Sequence, residues 1–560
     1  MSSTEAAALA YHEPSILTIL IQSSFLILLN TLNWALDALL YCGLIGQIFI
    51  GIAYGTPGGR LLDLEVEHVV VQLGYLGLIL LVFEGGLTTS FPSLKANIWL
   101  SLGVAVTGIA APIGLSFILG SLAGATNLRC FAAGAALCST SLGTTLAVLR
   151  ASGLSATRLG VVLTSAAMLD DVVGLVMVQV ISNLGNTGDE SVSAVTVVRP
   201  ILVSVGFVVV AGVVCWLVVK RGTELINSWR LCDGRVDRVL RKNETALVVH
   251  TFLLVGLVAG ASYAGTSNLF AAYTAGAVIS WWDSEVSLGI RKRVEKTAGS
   301  ATEQPRESGS TESTRNGGTG THVFERYYAP ALKWVLQPFF FASIGFSIPI
   351  TRMFSGTVVW KGVVYAVLMM IGKLLCGLWL VRFPGGAMVL FRSMMKNRAL
   401  DKSQSAREGS DQTPSEASQA DIATPAPTAA EPATGTKGVV TAQGQQSGQS
   451  GVGTRNTTPC PAKPLSLYPA AILGLAMVPR GEIGFLISSI AQSQGVFGAG
   501  ESEIFLIATW AIVLCTLIGP LCVGLLVRRV KALESKAGPS ARQEVLGVWG
   551  VQSSPSPVEK

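Results

Sequence analysis

Charge is scarce in this chain. Only 13% of its 560 residues are Asp, Glu, Lys or Arg, while half are hydrophobic. A typical soluble domain carries about 25% charged residues. Mean hydropathy is +0.54. These values exclude an ordinary soluble domain and fit a polytopic membrane protein better than a chain with a single anchor. Cysteine pairing is also missing. The nine cysteines are scattered, most of them in apolar runs, and none forms a C-x-x-C. They read as small buried hydrophobes, not as a disulfide framework or a metal site. The four histidines are equally dispersed, so no zinc spacing exists. No motif interleaves aromatic and basic residues, which argues against nucleic acid as a partner. The net charge of +6 reads instead as a topology signal. The N-terminus lacks a basic segment ahead of its first apolar run, so no cleaved signal peptide is expected.

What the chain has is apolar runs of membrane-spanning length. A helix crosses the hydrocarbon core with about 20 residues. By that measure the sequence predicts an all-α polytopic membrane protein of about thirteen spans. They are Ile16–Asn33, Trp34–Tyr54, Val69–Leu87, Ile98–Leu119, Leu128–Leu149, Thr164–Ile181, Ile201–Val219, Thr245–Tyr263, Asn268–Trp282, Leu332–Ile350, Val358–Val381, Pro469–Ala491 and Glu503–Val527. Lys296–Thr321 and Lys402–Pro464 are too poor in apolar residues to fold by themselves and read as linkers. The expected organisation is membrane domain over 1–282, loop 283–329, two spans over 330–392, loop 393–468, two more spans over 469–530, and tail 531–560. Basic residues collect after alternate spans: Arg150 and Arg158, Lys220 and Arg221, Arg291 to Arg293, Arg382 and Arg392, Arg528 and Arg529. The opposite loops carry Asp63, Glu65, Glu67, Asp189 and Glu190. The positive-inside rule then places the C-terminus and both long loops in the cytoplasm.

Four places break the apolar pattern. Asp170 and Asp171 sit together near the middle of the sixth span, TSAAMLDDVVGLVMVQVI. An Asp at a helix centre costs roughly 2.5–3.5 kcal/mol on insertion scales, and the default reading of such a residue is an ion or proton site. Lys373 stands alone in the eleventh span and wants an acidic partner, for which the Asp pair is the best candidate. In the twelfth span, LGLAMVPRGEIGFLISSI, Pro479 and Gly481 interrupt the helix beside Arg480 and Glu482. Arg480 and Glu482 are expected to pair with each other as a structural bridge, with direct ion contact the alternative. The fifth span carries a softer interruption, CSTSLGTTLAVL, where Thr140, Ser141, Gly143, Thr144 and Thr145 offer hydroxyls and a flexible point. These hydroxyls could equally bond back to their own helix. Each interrupted span is second in a run of three, and the two runs enter from opposite faces. That spacing suggests an inverted repeat whose two broken helices meet at the midplane.

The ordered set of these segments resembles the monovalent cation:proton antiporter superfamily, in the branch that holds bacterial sodium/proton and potassium-efflux antiporters. GLIGQIFIGIAYGTP is similar to that branch's first Gly-rich motif. CSTSLGTTLAVLRASGLSATRLGVVLTSAAMLDDVVGLVMV is similar to its crossing helix and Asp-Asp helix, and SNLFAAYTAGAVIS, QPFFFASIGFSIPI and VPRGEIGF follow in the same order. The resemblance implies a sodium/hydrogen-exchanger-type transporter working as a homodimer in the bilayer. A core of spans four to six and eleven to thirteen would move against a dimerisation domain. It implies that Asp171 binds a monovalent cation and protons in turn, that Asp170 pairs with Lys373, and that Thr140 and Ser141 lie beside them at the crossing. No cofactor and no metal beyond the transported Na+ or K+ are implied. Potassium-efflux relatives carry a C-terminal nucleotide-binding domain, and the tail after the last span is too short for one. Such exchange involves no covalent chemistry, so enzymatic activity is not expected. A sodium-coupled organic solute symporter shares the architecture and is the alternative. An intramembrane aspartyl protease would place its two acids on separate helices.

Overall fold

A bilayer offers the backbone no hydrogen-bond partner, so apolar runs of this length fold as helices. The computed structural model describes residues 13–40, 42–89, 94–95, 97–141, 153–155, 157–186, 194–222, 243–298, 319–381, 466–498, 502–537, 546 and 549–550, and most of the apolar runs among them are helical. All of them belong to one unit, Met1–Val381 together with Ser466–Lys560. Among them, eight helices are long and apolar enough to cross a membrane. The other expected spans are built differently, several of them from short pieces.

In chain order the elements are α1 (Ile16–Leu40), α2 (Gly43–Tyr54), α3 (Leu64–Leu87), α4 (Ile98–Ser116), α5 (Asn127–Ala136), α6 (Arg158–Asn186), α7 (Ala194–Val214), α8 (Asn243–Ala264), α9 (Asn268–Ala298), α10 (Gly320–Tyr327), α11 (Gln337–Phe346), α12 (Gly356–Leu374), α13 (Tyr468–Ala476), α14 (Glu482–Ser493) and α15 (Glu503–Ala537). A π-turn, Cys215–Val219, continues α7; another, Leu332–Leu336, precedes α11; a 3-10 turn, Leu375–Leu380, ends α12.

Two bundles emerge from the packing. In the first, α4 packs on α5, α6 and α12, α14 on α5 and α6, and α15 on α12 and α13. This is the six-span core expected from the run of spans four to six and eleven to thirteen. In the second, α3 packs on α9 and α11, α2 on α1 and α11, and α8 on α9. Small residues bring these helices close. A methyl group at Gly86 of α3 would come within 2.9 Å of the Ala277 amide nitrogen on α9, the close-approach packing that membrane helices favour. Helix α7 lies between the bundles, touching both α6 and α9.

The structure corrects several boundaries. The expected break at Trp34 is absent: WALDALL is made of good helix formers, so α1 runs on to Leu40 and the chain restarts at Gly43. The expected loop 283–329 is entered from both ends, because α9 continues to Ala298 and α10 begins at Gly320. The Asp283 carboxylate caps that return by accepting the Gly320 amide at 2.7 Å. The expected tail 531–560 begins as helix, since α15 extends to Ala537. Farther on, Leu546 and Trp549 are buried against Leu154, Leu159 and Leu163, with Arg158 over the Trp549 ring. The loop 393–468 lies outside the described residues up to Leu465.

Candidate functional site

Two helices of the core stop in mid-course and face each other. α5 ends at Ala136, and Leu137 to Ser141 leave the helix. α13 ends at Ala476 and α14 starts at Glu482, with Met477 to Gly481 non-helical between them. The freed backbone is satisfied across the gap. The Ser141 amide donates to the Pro479 carbonyl at 2.9 Å. Arg480, fully buried, donates from Nη1 to the carbonyls of Ser139 and Cys138 at 2.8 and 3.4 Å. These carbonyls follow the C-terminal end of α5, where a positive charge is favoured. Thr516 of α15 closes the other side by donating to the Arg480 carbonyl at 2.7 Å. Gly143, Thr144 and Thr145 of the expected fifth span lie outside the described residues.

The charged side chains gather at this crossing. Lys373 Nζ on α12 lies 2.5 Å from Asp170 Oδ2 on α6, and both side chains are fully buried. Thr140 completes a triangle: its hydroxyl donates to Asp170 Oδ2 at 2.8 Å and accepts from Lys373 at 2.9 Å. Gly108 of α4 leaves the room for it, since a methyl group there would lie 3.2 Å from Lys373 Nζ and 3.5 Å from Asp170 Oδ2. Two charges removed from water need close pairing and further hydrogen bonds to be tolerated, and this pair has both.

Asp171 is placed differently. Half-buried, it makes no ion pair with Lys373 and accepts one hydrogen bond, from Ser139 Oγ to Oδ1 at 3.0 Å. Asp170 Oδ1 is buried with no hydrogen-bond partner. The structure brings the expected site residues Asp170, Thr140 and Lys373 together. Ser141, expected at the crossing, is there and joins it through its backbone amide, while Ser139, which the sequence reading did not name, is the hydroxyl that reaches Asp171. The expected ion pair between Arg480 and Glu482 is not formed. The Arg480 guanidinium is drawn to the carbonyls that follow α5, and Glu482, at the first turn of α14, is half-buried with no cationic partner within 4.0 Å among the described residues. Among the described residues no group of three His, Cys, Asp or Glu side chains is arranged to hold a metal ion.

A cavity of about 410 Å³ borders α6 beside the acid pair. Met168, Leu169 and Val172 of α6 form one wall, and Trp216 of the π-turn after α7 with Tyr273 and Trp281 of α9 form the other. It therefore lies between the two bundles. Its walls are mostly apolar, with hydroxyls at Thr89, Tyr273 and Thr274; those of Thr89 and Tyr273 bond each other at 2.9 Å.

Comparison with known proteins assigns this arrangement. The profile of the family described as "Sodium/hydrogen exchanger, transmembrane" matches residues 26–394. The chain belongs to the sodium/hydrogen exchanger family. The matched region holds Thr140, Asp170, Asp171 and Lys373, and stops short of Arg480 and Glu482. Among curated relatives, the probable Na(+)/H(+) antiporter GerT of Bacillus cereus is 26% identical over 35% of this chain and 50% of its own length. The Na(+)/H(+)-K(+) antiporter GerN of the same organism is 28% identical over 33% of this chain and 48% of its own length. The high-affinity Na(+)/H(+) antiporter NhaS3 of Synechocystis is 32% identical over 30% of this chain and 36% of its own length. The chain thus spans about half the length, or less, of the curated relatives it matches. In fold it is similar to the sodium proton antiporter MjNhaP1 from Methanocaldococcus jannaschii, with a TM-score of 0.52 and 12% identity, covering 92% of this chain and 99% of that one. This exchanger-family chain is accordingly an all-helical integral membrane protein built on an antiporter fold.

Proposed function

We propose that the chain exchanges a monovalent cation, Na+ or K+, for protons by alternating access, with Asp171 as the group that holds them in turn. One observation carries the reading. Asp171 is the acid of the pair that no cationic side chain neutralises, and it sits at the crossing of two broken helices. Asp170 is already taken by Lys373 and Thr140. The roles follow from that division. Asp170 and Lys373 act as a fixed internal pair, Thr140 orients both, and Ser139 orients Asp171. A cation or a proton on Asp171 neutralises it. The neutral core can then slide past the second bundle, whereas a core with a bare charge cannot, because burying that charge is too costly. Competition for one carboxylate thus couples two opposite fluxes without covalent chemistry. The cavity between the bundles fits an access route to one side of that barrier.

The names of the curated relatives favour sodium and potassium as the cations, and they favour exchange over solute symport. We further propose that the protein works as a homodimer, with its C-terminus and long loops in the cytoplasm, as the distribution of Lys and Arg suggests.

The test is reconstitution into liposomes that enclose a pH-sensitive dye, challenged with Na+, K+ and Li+ in turn. Cation-driven proton movement by the wild type, abolished in Asp171→Asn, is the expected result. Exchange by Asp171→Asn near the wild-type rate would remove Asp171 from its role. Sodium-driven uptake of an organic solute without counter-movement of protons would replace antiport by symport.

A further inference from the structure

Resting on the antiport reading above, a second acid at the crossing finds a role. Glu482 opens α14 directly after the break. Its near neighbour in sequence, Arg480, is engaged elsewhere, with Nη1 on the carbonyls of Ser139 and Cys138. Among the described residues Glu482 forms no ion pair.

Position brings Glu482 to the Asp171 turn. The flanking Gly481 lies against Ser141, and the flanking Ile483 lies against Gly174, one helical turn beyond Asp171 on α6. Gly174 lets this contact close: a methyl group there would meet Ile483 Cγ2 at 3.0 Å and Ser139 Cβ at 3.1 Å. Ser139 is the residue that hydrogen-bonds Asp171. Glu482 is therefore bracketed by residues that touch the Asp171 turn. Beside them, the fully buried Asp170 leaves Oδ1 without a partner, a further acceptor at the same place.

We propose that Glu482 is the second carboxylate of the cation site, facing Asp171 across the crossing. Formal charge supports the assignment. Asp170 and Lys373 cancel, and Arg480 offsets one further acid. With Asp171 alone the cluster would be neutral and would have no net attraction for a cation. With Glu482 ionised it carries one net negative charge, which a monovalent cation or one proton neutralises. Two unpaired carboxylates near each other in a low-dielectric setting repel, and the same ion relieves both. Arg480 then has a second function besides bonding the carbonyls of the crossing: it keeps the pair from being doubly negative.

The experiment uses the full chain, purified and reconstituted, with NaCl, KCl and LiCl as probes. Two readouts are taken: the apparent cation KM of exchange, and the rise in melting temperature on adding cation in detergent. Glu482→Gln keeps the shape and removes the charge. It is expected to raise the apparent KM at least tenfold and to abolish most of the cation-induced thermal shift, while melting without cation stays close to wild type. Glu482→Asp, which keeps the charge, is expected to retain a cation-induced shift. A Glu482→Gln protein with wild-type KM and wild-type thermal shift would overturn the proposal while leaving antiport intact. A wild type with neither exchange nor a cation-induced shift would overturn both.

Discussion

Ser141 and Pro479, far apart in the chain, are joined backbone to backbone: the Ser141 amide donates to the Pro479 carbonyl at 2.9 Å. Each belongs to a stretch that has left its helix, so each has polar groups that hydrocarbon cannot satisfy. The two interruptions satisfy one another. Arg480 adds bonds to the carbonyls of Ser139 and Cys138, and Thr516 holds the Arg480 carbonyl. The acids of α6 are thus presented to a crossing held together by bonds between its own two strands of chain.

Gly481→Ala should force that crossing open. A methyl group at Gly481 would lie 2.7 Å from Ser141 Oγ and 2.8 Å from its Cβ, closer than real carbon contacts. Overpacking of this kind costs about 1–3 kcal/mol. We expect a lower melting temperature and at least a tenfold loss of exchange. Gly114→Ala on α4 is the control, because nothing lies within 4 Å of the added methyl; it should melt and transport like the wild type. Equal behaviour of the two variants would mean that the close contact at Gly481 is not required.

Much of this site is legible in the sequence, because a charge in an apolar run demands a partner. Lys373 and Asp170 announce each other for that reason. The break at Pro479 and Gly481 is equally plain, since proline cannot donate and crowds the preceding turn. The hydroxyls are not legible. Ser139, Thr140 and Ser141 are consecutive and chemically alike, and which one meets which acid depends on where α5 unwinds. That register is fixed by tertiary packing at Ala136, with Gly484 of α14 lying against the Ala136 carbonyl. The expected bridge between Arg480 and Glu482 fails for a related reason. Closeness in sequence favours it, but the carbonyls beyond α5, supplied by a distant part of the chain, capture the guanidinium first. At the ends of elements, polar composition misleads: α9 and α10 extend into a segment read as loop, since charged residues such as Glu, Lys and Arg are good helix formers.

Removal of most of Lys402–Pro464 should leave folding and transport intact. Lys373 precedes this segment and Arg480 follows it, yet both are held by hydrogen bonds to the stretch that follows α5, and Lys373 also by Asp170 of α6. α13 packs directly on the 3-10 turn Leu375–Leu380, so a short connection suffices to join them. Loop closure depends only weakly on length, at about 0.6 kcal/mol per doubling. The measurement is expression, melting and liposome exchange of the deletion variant. A correctly inserted variant that melts like the wild type but does not exchange would give the segment an essential part in transport.

The pair of Asp170 and Lys373 makes the most quantitative demand on the structure. With Nζ and Oδ2 2.5 Å apart and both side chains fully buried, removal of either partner strands the other charge away from water. Breaking a buried pair in this way costs about 3–5 kcal/mol. Asp170→Asn and Lys373→Met are each expected to lose that much stability. Thr140 moderates the loss only in part, because its one hydroxyl proton serves Asp170 and its lone pairs serve Lys373. The double variant, Asp170→Asn with Lys373→Met, removes both charges and keeps the volumes, and replacement of a whole buried pair is often neutral. Its melting temperature should therefore lie above that of either single variant and near the wild type. Exchange should follow a different order. Asp171 keeps its bond from Ser139 in all three proteins, so a residual cation-induced thermal shift is expected in the double variant if the pair is chiefly structural. Additive losses, with the double variant less stable than both singles, would show that the two side chains do not depend on each other and that the buried pair is not what holds α6 to α12.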